Sequence, residues 1–452
     1  MPHCARFARS VLARSAWDAA ACSTKIRRPG PGTPSSARPR GEFMDVTDRT
    51  YPFARHCPFA MPEEFGWLRG RQPVAKVRLE SGDEAWLITR YEDVRAALTD
   101  PRFSRSIHRD GAARVDTGFQ ADADSPLFNF GGTISEPPGH TRWRRIVNRA
   151  FTSRQAESMR KEIAAHTDAL LGELAARGEG FDLMADFAYR LPITVICDLL
   201  GLEDAARPEF TELAAQLTRR DMQSSFIEFG QALQAIGRYA VGLIVRKRKN
   251  LGDDLLSTLI TLRDEEGDAE GLTNEELVST VILLLMAGYE STAVQLGNAF
   301  YALLRDPDQM RALREHPERI DHAVEELLRY AQMGTGYAIA KFTTADVEMS
   351  GVTIPAGSTV FVSLASANRD ERIFGTDADT LDLNRAEARR QTAFGYGPHY
   401  CLGAALARVE MQEAVARTLA RFPGLHHDGD LDAVELNSNL FTYYPRELRV
   451  LP

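Results

Sequence analysis

Residues 394–403 read Phe-Gly-Tyr-Gly-Pro-His-Tyr-Cys-Leu-Gly, and this stretch decides the fold. Gly395, Gly397 and Pro398 predict a tight loop whose backbone can approach a flat molecule closely. The pattern of residues 402–422 predicts a helix that ends before Pro423. Cys401 therefore lies at the start of a helix, where unpaired N–H groups and the positive end of the helix dipole favour a thiolate and tune its donation to a metal.

The cysteine content restricts the chemistry further. The five cysteines are Cys4, Cys22, Cys57, Cys197 and Cys401. They are too few and too scattered for a disulfide framework, and no Cys-x-x-Cys pair indicates zinc or an iron–sulfur cluster. Taken alone, Cys401 is better explained as an inert residue of a glycine-rich turn. A chain with few cysteines and no disulfide pattern fits a reducing cytosol, so we expect a cytoplasmic protein.

Charge and length exclude some classes of partner. The net charge is −9, from 54 basic and 63 acidic residues, which argues against nucleic acid as the main partner. The longest apolar run spans residues 281–288, far short of the roughly 20 residues of a membrane helix, so no membrane association is expected. The chain is long enough to form a core that encloses a cofactor.

The first 43 residues differ from the rest of the chain. They are rich in Arg, Ala, Ser and Pro, and Asp18 and Glu42 are their only acids. Such a composition fits a transit peptide, a disordered tail, or a segment upstream of a true start at Met44. We favour one of the last two, and we predict one large domain over residues 44–452.

Short β signals accompany a mainly helical pattern. Residues 74–79 and 85–89 flank Ser-Gly-Asp and predict a hairpin, residues 93–98 predict a helix, and residues 102–135 predict a long loop. Helical periodicity dominates residues 140–328, and β signals return at residues 352–357. The predicted fold class is mainly α with small β-sheets, an α+β fold.

One predicted helix is much longer than the others. Thr273 and Glu276 form a capping box, and the helical pattern then runs to Arg305. Within it lies Ala-Gly-Tyr-Glu-Ser-Thr at residues 287–292. Small residues there would let a flat group lie against the helix, whereas buried acid and hydroxyl groups cost free energy unless they are paired. A polar patch on a buried helix is an equally good interpretation of this run alone. A second helix is predicted over residues 317–330.

Two charge patterns are weak signals on their own. Glu326 and Arg329 are three residues apart on one helix face, as in many solvated surface pairs. His140 and Arg144 are four residues apart and point the same way, which suits an anion but also fits an exposed basic helix. Neither pattern indicates a function without the others.

Taken together, these motifs resemble one family. Gly395, Gly397, His399, Cys401 and Gly403, followed by Ala-Leu-Ala-Arg at residues 405–408, resemble the haem-binding loop of cytochrome P-450. The resemblance covers about residues 50–452. It implies a single large domain that encloses haem b beside a long central helix.

The resemblance also implies roles for individual residues. Cys401 would be the axial ligand of the haem iron, Phe394 would shield the thiolate, and His399 would face a haem propionate. The remaining residues expected to bind the cofactor are His140, Arg144, Gly395, Gly403, Ala287, Gly288 and Lys341. Glu326, Arg329 and Arg385 would form a buried structural network that holds the cysteine loop.

The resemblance places the expected catalytic residues on the long helix. In the family, the residue at 290 would relay protons and the residue at 291 would bond iron-bound dioxygen, so Glu290, Ser291 and the adjacent Thr292 are the expected catalytic residues. The chain departs from the family pattern at Ser291, where Thr is usual, and at Lys341, where Arg is usual. Ser keeps the hydroxyl but is less restricted in its rotamers, and Lys keeps the charge but loses the planar fork.

The implied activity is a haem-thiolate monooxygenase. It would insert one oxygen atom from dioxygen into an apolar, aromatic or polycyclic natural product, by hydroxylation or epoxidation, in secondary-metabolite biosynthesis. Electrons would come from an external ferredoxin and an NAD(P)H-dependent reductase, with basic residues such as Arg408 as docking groups, and the protein would act as a monomer. The candidate substrate-lining residues are Phe128, Phe130, Tyr337 and Phe441.

Two alternatives remain open at this point. The same haem enzyme could perform oxidative coupling or desaturation without oxygen insertion. A non-catalytic haem-binding or recruitment protein is the alternative from another class, although intact Cys401, Glu290 and Ser291 argue against it.

Overall fold

A computed structural model describes residues 49–55, 59–105, 111–113, 136–218, 226–334, 339–438 and 442–452. The α-helices in chain order are α1 Glu63–Arg71, α2 Tyr91–Thr99, α3 Gly139–Ala150, α4 Ser153–Ser158, α5 Arg160–Arg177, α6 Arg190–Leu199, α7 Arg207–Thr218, α8 Phe226–Lys249, α9 Leu255–Glu270, α10 Asn274–Arg305, α11 Pro307–Glu315, α12 Ile320–Tyr330, α13 Leu364–Ala367, α14 Glu371–Phe374 and α15 Ala404–Arg421. A π-helix spans Met184–Ala188, just before α6.

The strands form small sheets at the edge of the helical body. They are β1 Thr50–Tyr51, β2 Val74–Leu79, β3 Glu84–Ile88, β4 Phe103–Ser104, β5 Phe181–Asp182, β6 Ile339–Thr343, β7 Val347–Met349, β8 Val352–Ile354, β9 Thr359–Val362, β10 His426–His427, β11 Leu436–Ser438, β12 Tyr443–Pro445 and β13 Arg449–Leu451. The largest sheet has the order β1-β2-β3-β9-β6-β4. The smaller sheets are β10-β13-β5, β11-β12 and β7-β8.

Most of the predicted elements are confirmed. The hairpin is the antiparallel pair β2–β3, with Val74 opposite Ile88. The helix predicted at residues 93–98 is α2, and the one predicted from residue 317 begins with a 3₁₀ turn before α12. The predicted loop 102–135 contains β4, and its residues 106–110 and 114–135 lie outside the described residues. The mainly helical α+β class is confirmed.

The long central helix is α10, and its start is fixed by the predicted capping box. Thr273 Oγ1 accepts the Glu276 N–H at 3.1 Å, and Glu276 Oε2 accepts the Thr273 N–H at 2.8 Å. The helix contacts α6, α8 and α15, which places it at the centre of the helical body. Among the described residues it is the one helix long and apolar enough to cross a membrane, and 56% of its most apolar window is buried inside the protein.

Helix α3 is locked to the first turns of α10. Arg142 donates to Gly271 O at 2.6 Å and forms an ion pair with Glu276, the residue that also caps α10. Trp143, which is buried, donates its indole N–H to Thr280 Oγ1 at 2.9 Å. A buried indole N–H needs such an acceptor. These contacts fix α3 against α10 in both position and rotation.

The chain just before α6, and α6 itself, pack closely against α10 at two glycines. A Cβ added to Gly288 would lie 2.7 Å from Ile196 Cδ1, and one added to Gly297 would collide with the Met184 sulfur and lie 2.8 Å from its Cε. Met184 begins the π-helix, and its side chain is buried. The two glycines therefore allow a close approach that a larger residue would prevent.

Gly297→Ala is expected to lower the free energy of unfolding by about 1–3 kcal/mol, because the added methyl group overpacks the contact with Met184. Gly172→Ala is the matched control, since a Cβ there meets nothing within 4 Å. In mid-helix that control should raise the stability by up to about 1 kcal/mol. Chemical denaturation of both variants measures the difference, and equal effects of the two substitutions would contradict the packing argument.

Candidate active site

The cysteine loop has the tight geometry that its sequence predicts. The Cys401 N–H donates to Phe394 O at 2.9 Å and closes the loop. Gly395 and Gly397 have φ angles of +73° and +74°, a region that side chains disfavour. A Cβ on Gly397 would also lie 2.9 Å from Leu98 O, so the backbone that approaches this glycine belongs to α2. Both glycines are therefore required by the loop itself.

Cys401 precedes α15, which begins at Ala404 with Gly403 as its N-cap, two residues later than predicted. Its sulfur accepts a hydrogen bond from the Gly403 N–H. The residue is solvent-accessible, yet the protein around it raises the pKa of the thiol by desolvation, and Arg144 and Arg408 counteract that shift. The sulfur is therefore accessible to a ligand, although protein groups lie close enough to desolvate it.

Cationic and imidazole groups converge beside the cysteine loop. The rings of His140 and His399 lie 4.0 Å apart between centroids. Arg144 donates to Tyr400 O at 2.6 Å, which ties α3 to the loop. Lys341, on β6, is buried with its Nζ 3.4 Å from the carbonyl oxygen of Phe103. The structure thus brings together the residues predicted from three separate stretches of sequence.

The basic side chains of this group lie close enough to lower one another's pKa values. Burial, followed by the nearby charges of Arg105, His140, Lys341 and Arg144, lowers the pKa of His399 to about 3. Burial, followed by Arg105, lowers the pKa of Lys341 to about 8. Like charges held together at a partly desolvated position cost free energy unless an anion binds among them. The donors therefore fit a ligand with one or more carboxylates.

Arg105 belongs to this group, and the sequence interpretation missed it. It follows β4 directly, and its backbone N–H donates to a carboxylate oxygen of Glu136. Its charge acts on His140, His399 and Lys341. The residue lies at the edge of the predicted loop, where no periodicity or spacing marks it. Only the pairing of β4 with β6, with Ser104 opposite Phe342, brings it near Lys341.

The predicted network of Glu326, Arg329 and Arg385 is present and buried. Arg329 makes a two-pronged ion pair with Glu326, with N···O distances of 2.6 and 2.7 Å, and Arg385 Nε reaches the same carboxylate at 3.2 Å. Arg329 also donates to the carbonyl oxygens of Asn368, Ala378 and Thr380. Each charged group of the network thus has an oppositely charged partner, and Arg329 also bonds three carbonyl oxygens, as a buried charge requires.

A second, half-buried ion pair holds the cysteine loop more directly. Arg408 binds both oxygens of Glu325, at 2.5 and 3.2 Å, and its guanidinium lies 4.5 Å from the centre of the Phe394 ring. Gln391 donates to the same carboxylate at 3.0 Å. Arg408 was predicted as a docking group; the structure pairs its charge with Glu325, and its contact with a redox partner stays a prediction. No local sequence signal distinguishes Glu325 from its neighbour Glu326.

The polar run of α10 divides between two faces. Ala287 and Ser291 lie one turn apart on the accessible side, and the Ser291 hydroxyl donates back to the Ala287 carbonyl. Thr292 is buried, which separates it from that face. Gly288, which was predicted to line the cofactor, packs against α6, where an added Cβ would meet Ile196, and its contact with the cofactor stays a prediction. Glu290 is half-buried, and its charge acts on Tyr189.

The residues present fit a haem. A cysteine sulfur at a helix start suits an iron ligand, and the adjacent cationic group suits propionates. The predicted substrate-lining residues Phe128, Phe130, Tyr337 and Phe441 lie outside the described residues. Among the residues that the structure does describe, no cluster of three or more His, Cys, Asp or Glu side chains could hold a bare metal ion.

Comparison with known proteins identifies the family of the chain. The family model described as Cytochrome P450 matches residues 73–320 and 319–448. Mycinamicin IV hydroxylase/epoxidase of Micromonospora griseorubida is 41% identical over 386 residues, covering 83% of this chain and 92% of that protein. Nocardicin C N-oxygenase of Nocardia uniformis subsp. tsuyamanensis is 40% identical over 384 residues, covering 84% of this chain and 93% of that protein.

A solved structure of a P450 has the same fold as this chain. The chain resembles a mixed-function P450 variant in complex with mycinamicin IV, with a TM-score of 0.81 and 38% identity. The similarity covers 89% of this chain and 100% of that chain. It therefore spans both the cysteine loop and the central helix.

Proposed function

Because this chain belongs to the cytochrome P450 family, we propose that it is a haem-thiolate monooxygenase that inserts one oxygen atom into an apolar natural product. The observation that carries the proposal is the convergence of Cys401 with the guanidinium groups of Arg144 and Arg105 and the imidazoles of His140 and His399. When bound, haem b supplies the activation of dioxygen and the transfer of one of its atoms. The protein supplies ligation, orientation and protons.

The residues around Cys401 would each serve one of these purposes. Cys401 would ligate the iron, and the Gly403 N–H that bonds its sulfur would moderate electron donation. Arg144, Arg105 and Lys341 would neutralise the propionates, and His140 and His399 would donate hydrogen bonds to them. Ser291, whose oxygen lies on the accessible face of α10, would hold a proton near the reacting oxygen, and Glu290 would replenish it.

The substrate class rests on the relatives. Their names describe oxidation of mycinamicin IV in one case and N-oxygenation of nocardicin C in another. We assign this chain to secondary-metabolite tailoring and take mycinamicin IV as the first compound to test. Electrons would come from a ferredoxin served by an NAD(P)H-dependent reductase, and the enzyme would work as a cytoplasmic monomer.

A ligand screen read by the haem spin-state shift is the primary test. A substrate should shift the spectrum, and with ferredoxin, reductase and isotopically labelled dioxygen it should yield a product that contains one labelled oxygen atom. If the product is dehydrogenated or coupled and contains no labelled oxygen, the reaction is desaturation or coupling rather than oxygen insertion. A holoprotein that never forms product with any ligand that shifts its spectrum would favour the non-catalytic alternative.

Ser291→Ala is expected to keep the spin-state shift but to divert reducing equivalents into peroxide, with product per electron falling about tenfold. Thr292→Ala is the matched control, because the adjacent Thr292 is buried and is not on the accessible face of α10 that carries Ser291. The measurement is the ratio of peroxide to product at equal NAD(P)H consumption. Equal loss in both variants, or loss only in Thr292→Ala, would contradict the assignment of the hydroxyl to Ser291.

A further inference from the structure

Two short segments that are distant in the chain pair with each other beside the central helix. Residues 331–334 follow α12, and residues 442–443 stand at the start of β12. The Tyr443 N–H donates to the Met333 carbonyl at 2.7 Å, and an isolated antiparallel bridge adjoins this bond. Residues 331–334 and 442–443 thus form one unit, the paired segments.

Two buried amide side chains of α10 tie the paired segments to the central helix. Gln295 Nε2 donates to the Ala331 carbonyl at 3.0 Å, and Asn298 Nδ2 donates to the Tyr443 carbonyl at 2.8 Å. A buried amide donor or carbonyl oxygen is costly to leave unpaired, so these bonds are strongly favoured over open arrangements. Each segment is therefore fixed to α10 by its own hydrogen bond.

Arg55, which precedes α1 in the chain, adds a third contact. Its Nη2 lies 3.4 Å from the Gly334 carbonyl oxygen, and its guanidinium lies 4.7 Å from the centre of the Tyr443 ring. A single planar cation thus contacts both segments, through a hydrogen bond and an aromatic face. With the two amides, it restrains the segments from moving apart or shifting along α10.

The position of the two amides on α10 relates the paired segments to the proposed chemistry. Ser291, Gln295 and Asn298 are spaced i, i+4 and i+7, so they lie along one face of the helix. This face is accessible at Ala287 and Ser291 and becomes buried at Gln295. The accessible space in front of Ser291 therefore ends where the paired segments cover the helix, about 6 Å further along its axis.

We propose that Gln295 and Asn298 are positioning residues that fix the wall of the substrate cavity nearest Ser291. They act through the paired segments, and they thereby determine which atom of an apolar substrate lies closest to the reacting oxygen. Tyr337 and Phe441, two of the positions predicted to line the substrate, adjoin these segments in the chain. The inference rests on the proposed function, because it concerns the selectivity of that reaction.

Gln295→Met and Asn298→Leu each remove one tether and nearly keep the volume of the side chain. Imidazole and 4-phenylimidazole serve as probes, because both ligate a haem iron through a ring nitrogen and only the larger one contacts the apolar wall of the cavity. In the holoprotein, each variant should change the ratio of the two Kd values about tenfold, with the Kd of imidazole itself nearly constant.

Thr167→Val is the control for the loss of one buried hydrogen bond. The Thr167 hydroxyl donates to the Ile163 carbonyl at 2.7 Å within α5, and both side chains are buried. This variant should leave the Kd ratio unchanged, because a purely structural loss does not move the wall. An unchanged ratio in both tether variants would overturn the inference. If Asn298→Leu does not fold, Gln295→Met decides, since each amide holds one segment.

The distribution of products provides a second readout. With a compound identified by the spin-state shift, both tether variants should change the proportions of products oxidised at different positions, whereas Thr167→Val should not. Proportions that stay the same in both tether variants would also overturn the inference. If the wild-type protein forms no product, the proposed function fails, and the two probes still decide whether the amides position the wall.

Discussion

Cys401→Ala is expected to give a folded protein whose reduced carbon monoxide complex lacks the red-shifted Soret band of thiolate ligation. Product formation should fall to background, because no other described side chain near the loop could replace the thiolate. The fold should survive. The Cys401 side chain retains accessible surface, and the hydrogen bond that closes the loop uses its backbone N–H, which alanine keeps.

Cys197→Ala is the matched control for this experiment. Cys197 is buried in α6, where desolvation raises the pKa of its thiol to about 11, so it is an inert apolar residue. Its truncation should cost about 1 kcal/mol of packing and leave the Soret band intact. A thiolate spectrum that persists in Cys401→Ala would refute the assigned ligand. Its disappearance in both variants would indicate loss of the fold instead.

Arg329→Ala should produce the largest loss of stability, about 3–5 kcal/mol, because it leaves the Glu326 carboxylate buried without its main partner. The carbonyl oxygens of Asn368, Ala378 and Thr380 would lose a donor as well. Chemical denaturation measures the effect. If the alanine variant does not fold, Arg329→Lys keeps the charge without the planar fork and should show a smaller loss in soluble protein.

An exposed ion pair provides the comparison. Arg446 and Glu435 form a salt bridge at 3.4 Å with side chains 75% and 78% exposed. Arg446→Ala should therefore change the free energy of unfolding by less than about 1 kcal/mol. A similar effect for Arg446→Ala and Arg329→Ala would show that the buried network contributes no more than a surface pair.

Local signals in the sequence predicted those features that are themselves local. The capping box of Thr273 and Glu276 set the start of α10, because both partners lie within one turn. The loop before Cys401 was predicted from its glycines, whose positive φ angles are a property of the backbone there. The Glu326 network was reached through family resemblance, since Arg385 is 59 residues from Glu326 in the chain.

Features set by packing between distant segments could not be predicted in this way. The role of Gly288 depended on how α10 is rotated against α6, and periodicity alone does not give that rotation. Arg105 joins the cationic group only through the pairing of β4 with β6, and Arg408 is neutralised only because α12 lies beside α15. The π-helix has no sequence signature, and the position of Tyr189 depends on it.

The contacts between α3 and α10 have a consequence for how such an enzyme diversifies. Trp143 and Arg142 join the helix that carries His140 to the helix that carries Ser291. In the proposed mechanism, the residues that would bind the propionates and those that would deliver protons to oxygen therefore lie on two helices held together by these contacts. Mutations in segments outside these two helices are free to alter which molecule is accepted while the reaction centre stays constant. New substrate preferences can then evolve through mutations in the segments around the substrate, while the residues of the reaction centre stay the same.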